Sequence, residues 1–235
     1  MKIGITLPQF RDDPEHALAA ARAAEELGLD GVFVFDHLWA IGNPERPALP
    51  AFPLLGALTS VTTRVSLGTL VARVGLVPDA VLVHQFTTLA AIVGDRLIAG
   101  VGTGDRLSAA ENDAYGIDYP PAADRRRQVA EVCDALRGEG IVTWVGGRTE
   151  ATRQVAIDHA DAVNFWAADA SVVAAERRMP VTWGGQIAGE PGEASVMLRS
   201  LAEAGAAWAV CAPPFLPDVD PAATVSALAE AAALR

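Results

Sequence analysis

KIGITLPQFRDDPEHALAAARAAEELGLDGVFVF, residues 2 to 35, contains one complete β-α-β unit, and the rest of the chain repeats its pattern. An apolar run from Lys2 to Leu7 is stopped by Pro8. Asp12, Asp13 and Pro14 then supply the acidic first turn and fixed φ with which a helix begins. Ala17, Leu18, Ala21, Ala24 and Leu27 recur at helical spacing, and Gly28 stands where a helix C-terminus favours glycine. Asp30 and Gly31 turn the chain into a second run, Val32 to Phe35. Neither run alternates apolar with polar residues, as expected of parallel strands covered on both faces.

Outward from this unit, strands are predicted at 65–71, 96–102, 141–145, 161–166, 180–185 and 207–213. Helices are predicted at 52–61, 78–93, 124–136, around Val155 to Ile157, at 170–178, at 192–204 and from Pro221 onward. Gly42, Pro44, Pro47 and Pro50 mark residues 40–50 as a loop, and TGDRLSAAEND, 103 to 113, as a second, polar one. Eight β-α units with right-handed crossovers close into a TIM (β/α)8 barrel, an α/β fold expected to span residues 1–235 as a single domain.

Composition narrows the function. A net charge of -11 over 235 residues disfavours nucleic-acid and anionic-membrane surfaces, which require positive patches. Met1 and Lys2 run straight into a strand with no apolar signal region, so the expectation is a cytoplasmic protein with no membrane contact. Cys133 and Cys211 are far apart and lack metal-ligand spacing, which makes buried thiols the expectation and a metal site unlikely on this pattern. The helix from Pro78 to Val93 is more apolar than a one-sided stripe needs, and its excess surface suggests a homodimer. His84 within it suits a core or interface position. Arg125, Arg126 and Arg127 suit a solvated helix face.

Three stretches carry chemistry. FVFDHLW, 33 to 39, ends a strand in a carboxylate, Asp36, and an imidazole, His37, at the barrel edge where substrates bind. A histidine there can exchange a proton with substrate, and a neighbouring carboxylate can orient it. Adjacent strand residues point to opposite faces, so both reach one pocket only if the strand ends in a turn. A helix cap beside a satisfied histidine fits the same dipeptide. GVGTGDR, 100 to 106, lacks the third glycine of a dinucleotide fingerprint but allows close backbone approach to a flat ligand. Thr103 and Gly104 would touch that ligand, and Asp105 would be a possible acid or merely a solvated loop charge. WVGGRT, 144 to 149, places Gly146, Gly147, Arg148 and Thr149 between strand and helix, where N–H groups and a guanidinium make a phosphate site. A plain tight turn is the alternative there.

Together GITLPQF, FDHLW, TRVSLGTLV, DRLIAGVGTGD, AENDAYGID and WVGGRT resemble the bacterial luciferase-like monooxygenase superfamily, and the match runs through nearly the whole chain. The resemblance implies a flavin-type cofactor, either the deazaflavin coenzyme F420 or FMN. GTGD resembles the F420-dependent oxidoreductase branch, which implies hydride transfer between coenzyme F420 and a small-molecule substrate. It further implies catalytic roles for His37 and Asp105. Asp36, His37, Thr69, Leu70, Val71, Thr103 and Gly104 would surround the ring, and residues 146 to 149 would hold the phosphate. It also implies a cis peptide bond at Leu70-Val71. Two alternatives stand beside this: an FMN-dependent monooxygenase, and a non-catalytic flavin-binding protein. The second is motivated by the reduction of the family's long excursion before the fifth strand to about Gly138–Gly140. Trp39 does not occupy the branch's usual tryptophan position.

Overall fold

The computed structural model describes residues 1–187, 191–216 and 218–234. Eight parallel strands form its centre: β1 (Lys2–Thr6), β2 (Gly31–Val34), β3 (Ser66–Thr69), β4 (Leu97–Gly102), β5 (Val142–Gly146), β6 (Ala162–Trp166), β7 (Val181–Gln186) and β8 (Trp208–Ala212). Each pairs with its neighbours in sequence order, and β8 pairs with β1. The pairing of Leu67 and Gly68 with Leu97 and Ile98 links β3 to β4, so no edge is left open. The outer layer consists of α1 (Glu15–Glu26), α2 (Ala51–Leu58), α3 (Asp79–Val93), α5 (Ala122–Gly138), α6 (Glu150–His159), α7 (Ala170–Ala175), α8 (Pro191–Glu203) and α9 (Pro221–Ala233), while α4 (Arg106–Ala114) follows β4 at the strand ends. This is the expected TIM barrel, with element bounds within a few residues of those predicted.

Two apolar layers hold it together. Between strands and helices lies a large core to which α1 contributes five buried alanines, with Leu18 packed beside them. Inside the barrel, Phe33, Trp144 and Trp208 pack ring against ring at centroid separations of 5.3, 5.8 and 5.5 Å. Room for Phe33 comes from the absence of neighbouring side chains: a Cβ on Gly4 or Gly68 would lie 2.7 Å from its ring. The interior is therefore filled by these rings, and a cavity lies at the carboxyl ends of the strands.

The structure corrects four expectations. Residues 40–50 are not wholly a loop, because Trp39–Ala40 and Asn43–Pro47 pair as a short antiparallel hairpin turned at Gly42 (φ 75°). TGDRLSAAEND is mostly helix α4, since Asp105 supplies a full capping box for it. Arg125 is buried, its Nε donating to the Thr103 carbonyl at 2.7 Å and its guanidinium lying 3.9 Å over the Tyr119 ring. His84 is exposed on α3, which overturns the core position expected for it and leaves the interface one. No helix among the described residues is long and apolar enough to cross a membrane.

Candidate functional site

The strand carrying Asp36 and His37 ends at Val34, and a buried side chain holds the turn that follows. Gln9 donates to the Phe35 carbonyl (2.8 Å) and accepts from the Phe35 N–H (2.6 Å), replacing the ladder bonds that residue 35 would make in a continued strand. The turn brings Asp36 and His37 to one cavity of about 450 Å³, with Leu70, Val71, Arg73 and residues 102–105 on one side and residues 146–149 on another. Gln9 lies within GITLPQF but was not expected at the site.

A second unexpected residue is the hub of the cavity wall. Glu111, on α4 and 1% exposed, lies with Oε1 2.6 Å from His37 Nδ1. Its Oε2 accepts from Arg73 Nη2 at 2.8 Å and from the Leu38 N–H at 3.2 Å. Burial pushes the Glu111 carboxyl up, but the His37 hydrogen bond and charge, the Leu38 N–H and Arg73 outweigh it and hold the group below the usual carboxylate range. An ionised carboxylate only accepts, so Nδ1 carries the proton of this bond and Nε2 is the remaining ring nitrogen. Asp36 behaves oppositely: desolvation pushes its carboxyl up despite the Arg73 N–H, which donates to its Oδ2 at 2.9 Å.

Asp105 lines the cavity, but one of its carboxylate oxygens is spent on capping α4. Its Oδ1 accepts from the N–H groups of Leu107 (2.9 Å) and Ser108 (3.1 Å) and from the Ser108 hydroxyl (3.1 Å). Burial pushes the Asp105 carboxyl up; the Ser108 and Leu107 hydrogen bonds prevail and hold it low. A carboxylate so held caps α4 and is poorly suited to donate a proton.

The cavity floor follows from β3. The Leu70-Val71 peptide bond is cis, as the resemblance implies. The chain then resumes at Ala72–Arg73, which pairs with Val101 and Gly102. The Val71 side chain lies where side chains on β4 and β5 would be: a Cβ on Gly102 would stand 2.4 Å from it, and one on Gly146 3.0 Å. The alternate glycines of GVG thus admit Val71 and, at Gly100, the Thr69 carbonyl, 2.1 Å from where a Cβ would stand. Thr69 itself is fully buried, and its hydroxyl donates to the Gly100 carbonyl at 2.6 Å, so its side chain does not face the cavity as expected. Trp39 packs against Tyr115 with ring centroids 6.1 Å apart, away from the cavity lining.

Opposite this floor, α6 begins. Thr149 caps it, its hydroxyl accepting from the Thr152 N–H at 3.2 Å. Gly147 passes so close to Thr152 that a Cβ would stand 2.3 Å from its methyl carbon. First-turn N–H groups have no acceptor within a helix, and the start of α6 faces the cavity beside Arg148, which makes no ion pair among the described residues. This matches the chemistry of a phosphate or other anion.

The luciferase-like monooxygenase family profile matches residues 1–139. An F420-dependent glucose-6-phosphate dehydrogenase of Microbacterium testaceum is 33% identical over 153 residues, covering 63% of this chain and 42% of that protein. The same-named protein of Nakamurella multipartita is 33% identical over 138 residues, covering 57% and 38%. The chain thus spans about two fifths of the length of these curated relatives. Among solved structures, an F420-dependent secondary alcohol dehydrogenase in complex with an F420-acetone adduct superposes at a TM-score of 0.84, with 16% identity and 100% and 99% of the two chains covered. An EDTA monooxygenase from Chelativorans sp. BNC1 superposes at 0.79, with 12% identity and 97% and 92% covered. These two likenesses concern the fold. With the profile matching more than half of its length, the chain belongs to the luciferase-like monooxygenase family.

Proposed function

We propose that the protein is an oxidoreductase that uses coenzyme F420 to exchange a hydride with a small organic substrate. The observation that carries this reading is the His37–Glu111 pair at 2.6 Å in the wall of a cavity whose opposite side is built for an anion. The cavity fits a flavin-type group: Leu70 and Val71 offer an apolar floor, Gly102 and Gly146 keep it flat, and α6 with Arg148 supplies donors for a phosphate. The naming of the curated relatives supports the deazaflavin over FMN.

When bound, the coenzyme accepts or supplies the hydride; the rest falls to the chain. His37, oriented through Nδ1, takes a proton at Nε2 from a substrate hydroxyl in the oxidative direction and returns it in the reductive one. Glu111 stabilises the protonated ring, and His37, the Leu38 N–H and Arg73 together keep Glu111 ionised. Asp105 positions α4, and hence Glu111, in place of the acid role expected for it. Gly146, Gly147, Arg148 and Thr149 would hold a phosphate, while Leu70, Val71, Thr103 and Gly104 would bound the ring.

Fluorescence titration of the purified protein with coenzyme F420 and with FMN tests the cofactor. Saturable binding of F420 in the micromolar range or tighter is expected, and binding of FMN alone would reject the deazaflavin. Absence of His37-dependent turnover across alcohols, aldehydes and enones, with F420 bound, would favour a non-catalytic carrier. We also propose a homodimer through α3, supported by its exposed Val81 and Ile92, and a cytoplasmic location, supported by two unbridged thiols. Light scattering that gives a monomer at micromolar concentration would remove the dimer.

A further inference from the structure

A second cavity of about 410 Å³ adjoins the first, sharing Phe35, Ile41 and Trp166 with it. Its walls come from the β1 and β8 ends of the barrel, and its chemistry differs from that of a sugar-binding site. Phe10 and Phe35 stack at 5.7 Å with planes 11° apart, and Trp166 meets Phe35 edge-on at 5.6 Å. Phe215, Ile187 and prolines 213 and 214 complete an apolar lining in which Thr6 and Gln186 are the uncharged polar members. The Phe10 ring lies 6.4 Å from the His37 ring, so the cavity reaches the proposed proton-exchanging group.

Its charge, among the described residues, is of one sign. Among the described residues the lining contains no carboxylate, but it contains Arg11 and Arg46. Arg46 is fixed by its Nε, which donates to the Phe10 carbonyl at 2.9 Å, leaving its terminal nitrogens without a recorded partner. Arg11 makes no ion pair among the described residues, although Asp12 and Asp13 follow it in sequence. Two unneutralised guanidinium groups at one apolar mouth, in a chain of net charge -11, match an anion attached to a flat hydrophobic body.

We infer that this cavity is the substrate site and that it takes a planar aromatic compound bearing a carboxylate, in place of the sugar phosphate named for the relatives. This inference rests on the oxidoreductase reading of the adjoining cavity only for its assignment as substrate; the ligand chemistry stands on the lining itself.

Calorimetric titration of the full chain, with and without coenzyme F420, tests it using 2-naphthoate, neutral 2-naphthylmethanol and glucose 6-phosphate. Saturable binding of 2-naphthoate is expected, weakened about tenfold in the R11Q/R46Q double variant, while 2-naphthylmethanol changes less than about twofold. Lack of saturable naphthoate binding, equal weakening of both naphthyl compounds, or tighter binding of glucose 6-phosphate would each overturn the inference. Deazaflavin fluorescence on the same samples separates the two readings. Coenzyme binding without naphthoate binding refutes only the substrate class, whereas naphthoate binding without coenzyme binding refutes the oxidoreductase reading and leaves the aromatic-acid site.

Discussion

Replacing Glu111 by glutamine tests the proposed chemistry most directly, because shape is kept while one acceptor becomes a donor. In the native protein Oε2 receives Arg73 and the Leu38 N–H, and Oε1 faces His37 Nδ1. A glutamine keeps its oxygen toward the two donors at the Oε2 position, which turns its NH₂ toward His37. Nδ1 must then accept, and the proton moves to Nε2, so the ring presents a donor where the oxidative reaction needs a base. General acid-base catalysis contributes about 10²- to 10⁴-fold, so E111Q should lose that much in kcat, or about 2.7 to 5.4 kcal/mol of barrier. Stability should fall less than the about 3 to 5 kcal/mol typical of a buried ion pair stripped of one partner, because one acceptor remains; about 1 to 3 kcal/mol is expected. The assay is steady-state turnover with coenzyme F420, alongside coenzyme affinity by fluorescence and unfolding in urea. H37Q guards against misfolding of E111Q, since it leaves the Glu111–Arg73 pair intact and should lose comparable kcat. A folded E111Q or H37Q with kcat within about threefold of the parent would refute the assignment of the pair.

Three further outcomes follow from the same geometry. Glu25 accepts from the Thr63 and Arg64 N–H groups, the Thr63 hydroxyl and the Val65 N–H; although desolvation pushes its carboxyl up, these bonds lower it to about 2. Its stabilisation is complete above its unfolded value near 4.5 and is lost as pH falls through about 2. E25Q should therefore unfold more easily at pH 7 by about 1 to 2 kcal/mol, with the gap to the parent closing toward pH 2 in urea titrations; a gap constant with pH would contradict this. Burial pushes the Cys133 and Cys211 thiols up to about 12, so a thiol reagent should leave both untouched in the native protein and label both in denaturant, and fast native labelling would contradict the packing. Gly102→Ala would drive a methyl group to 2.4 Å from the Val71 side chain, costing about 1 to 3 kcal/mol and disturbing the cavity floor. Thermal unfolding and coenzyme titration should both show the loss, and an unchanged affinity would place the ring elsewhere.

The first β-α-β unit was legible because strand and helix patterns are local: period, caps and Gly28 act within a few residues of one another. The same holds for the tight turn at 146–149, where the Thr149 cap and the glycines lie together in sequence. Even the cis bond at Leu70-Val71 was reached, through resemblance to a family and not through any local rule. Helix α4 was missed because its buried face is Ser108, Glu111 and Asn112, polar residues that leave no apolar stripe to betray a period.

The sequence by itself determined the barrel, the edge on which Asp36 and His37 stand and the tight glycine turn before α6, since each depends on short-range backbone preference and on apolar runs that must be covered. Tertiary structure decided what those residues touch. His37 meets Glu111 across 74 positions, and Arg73 meets Glu111 across 38, only once β3, β4 and α4 have closed around one cavity. Whether a charge is paired, spent on a cap as in Asp105, or pushed toward neutrality as in Asp36 depends on distance and burial, and neither exists until the chain has folded.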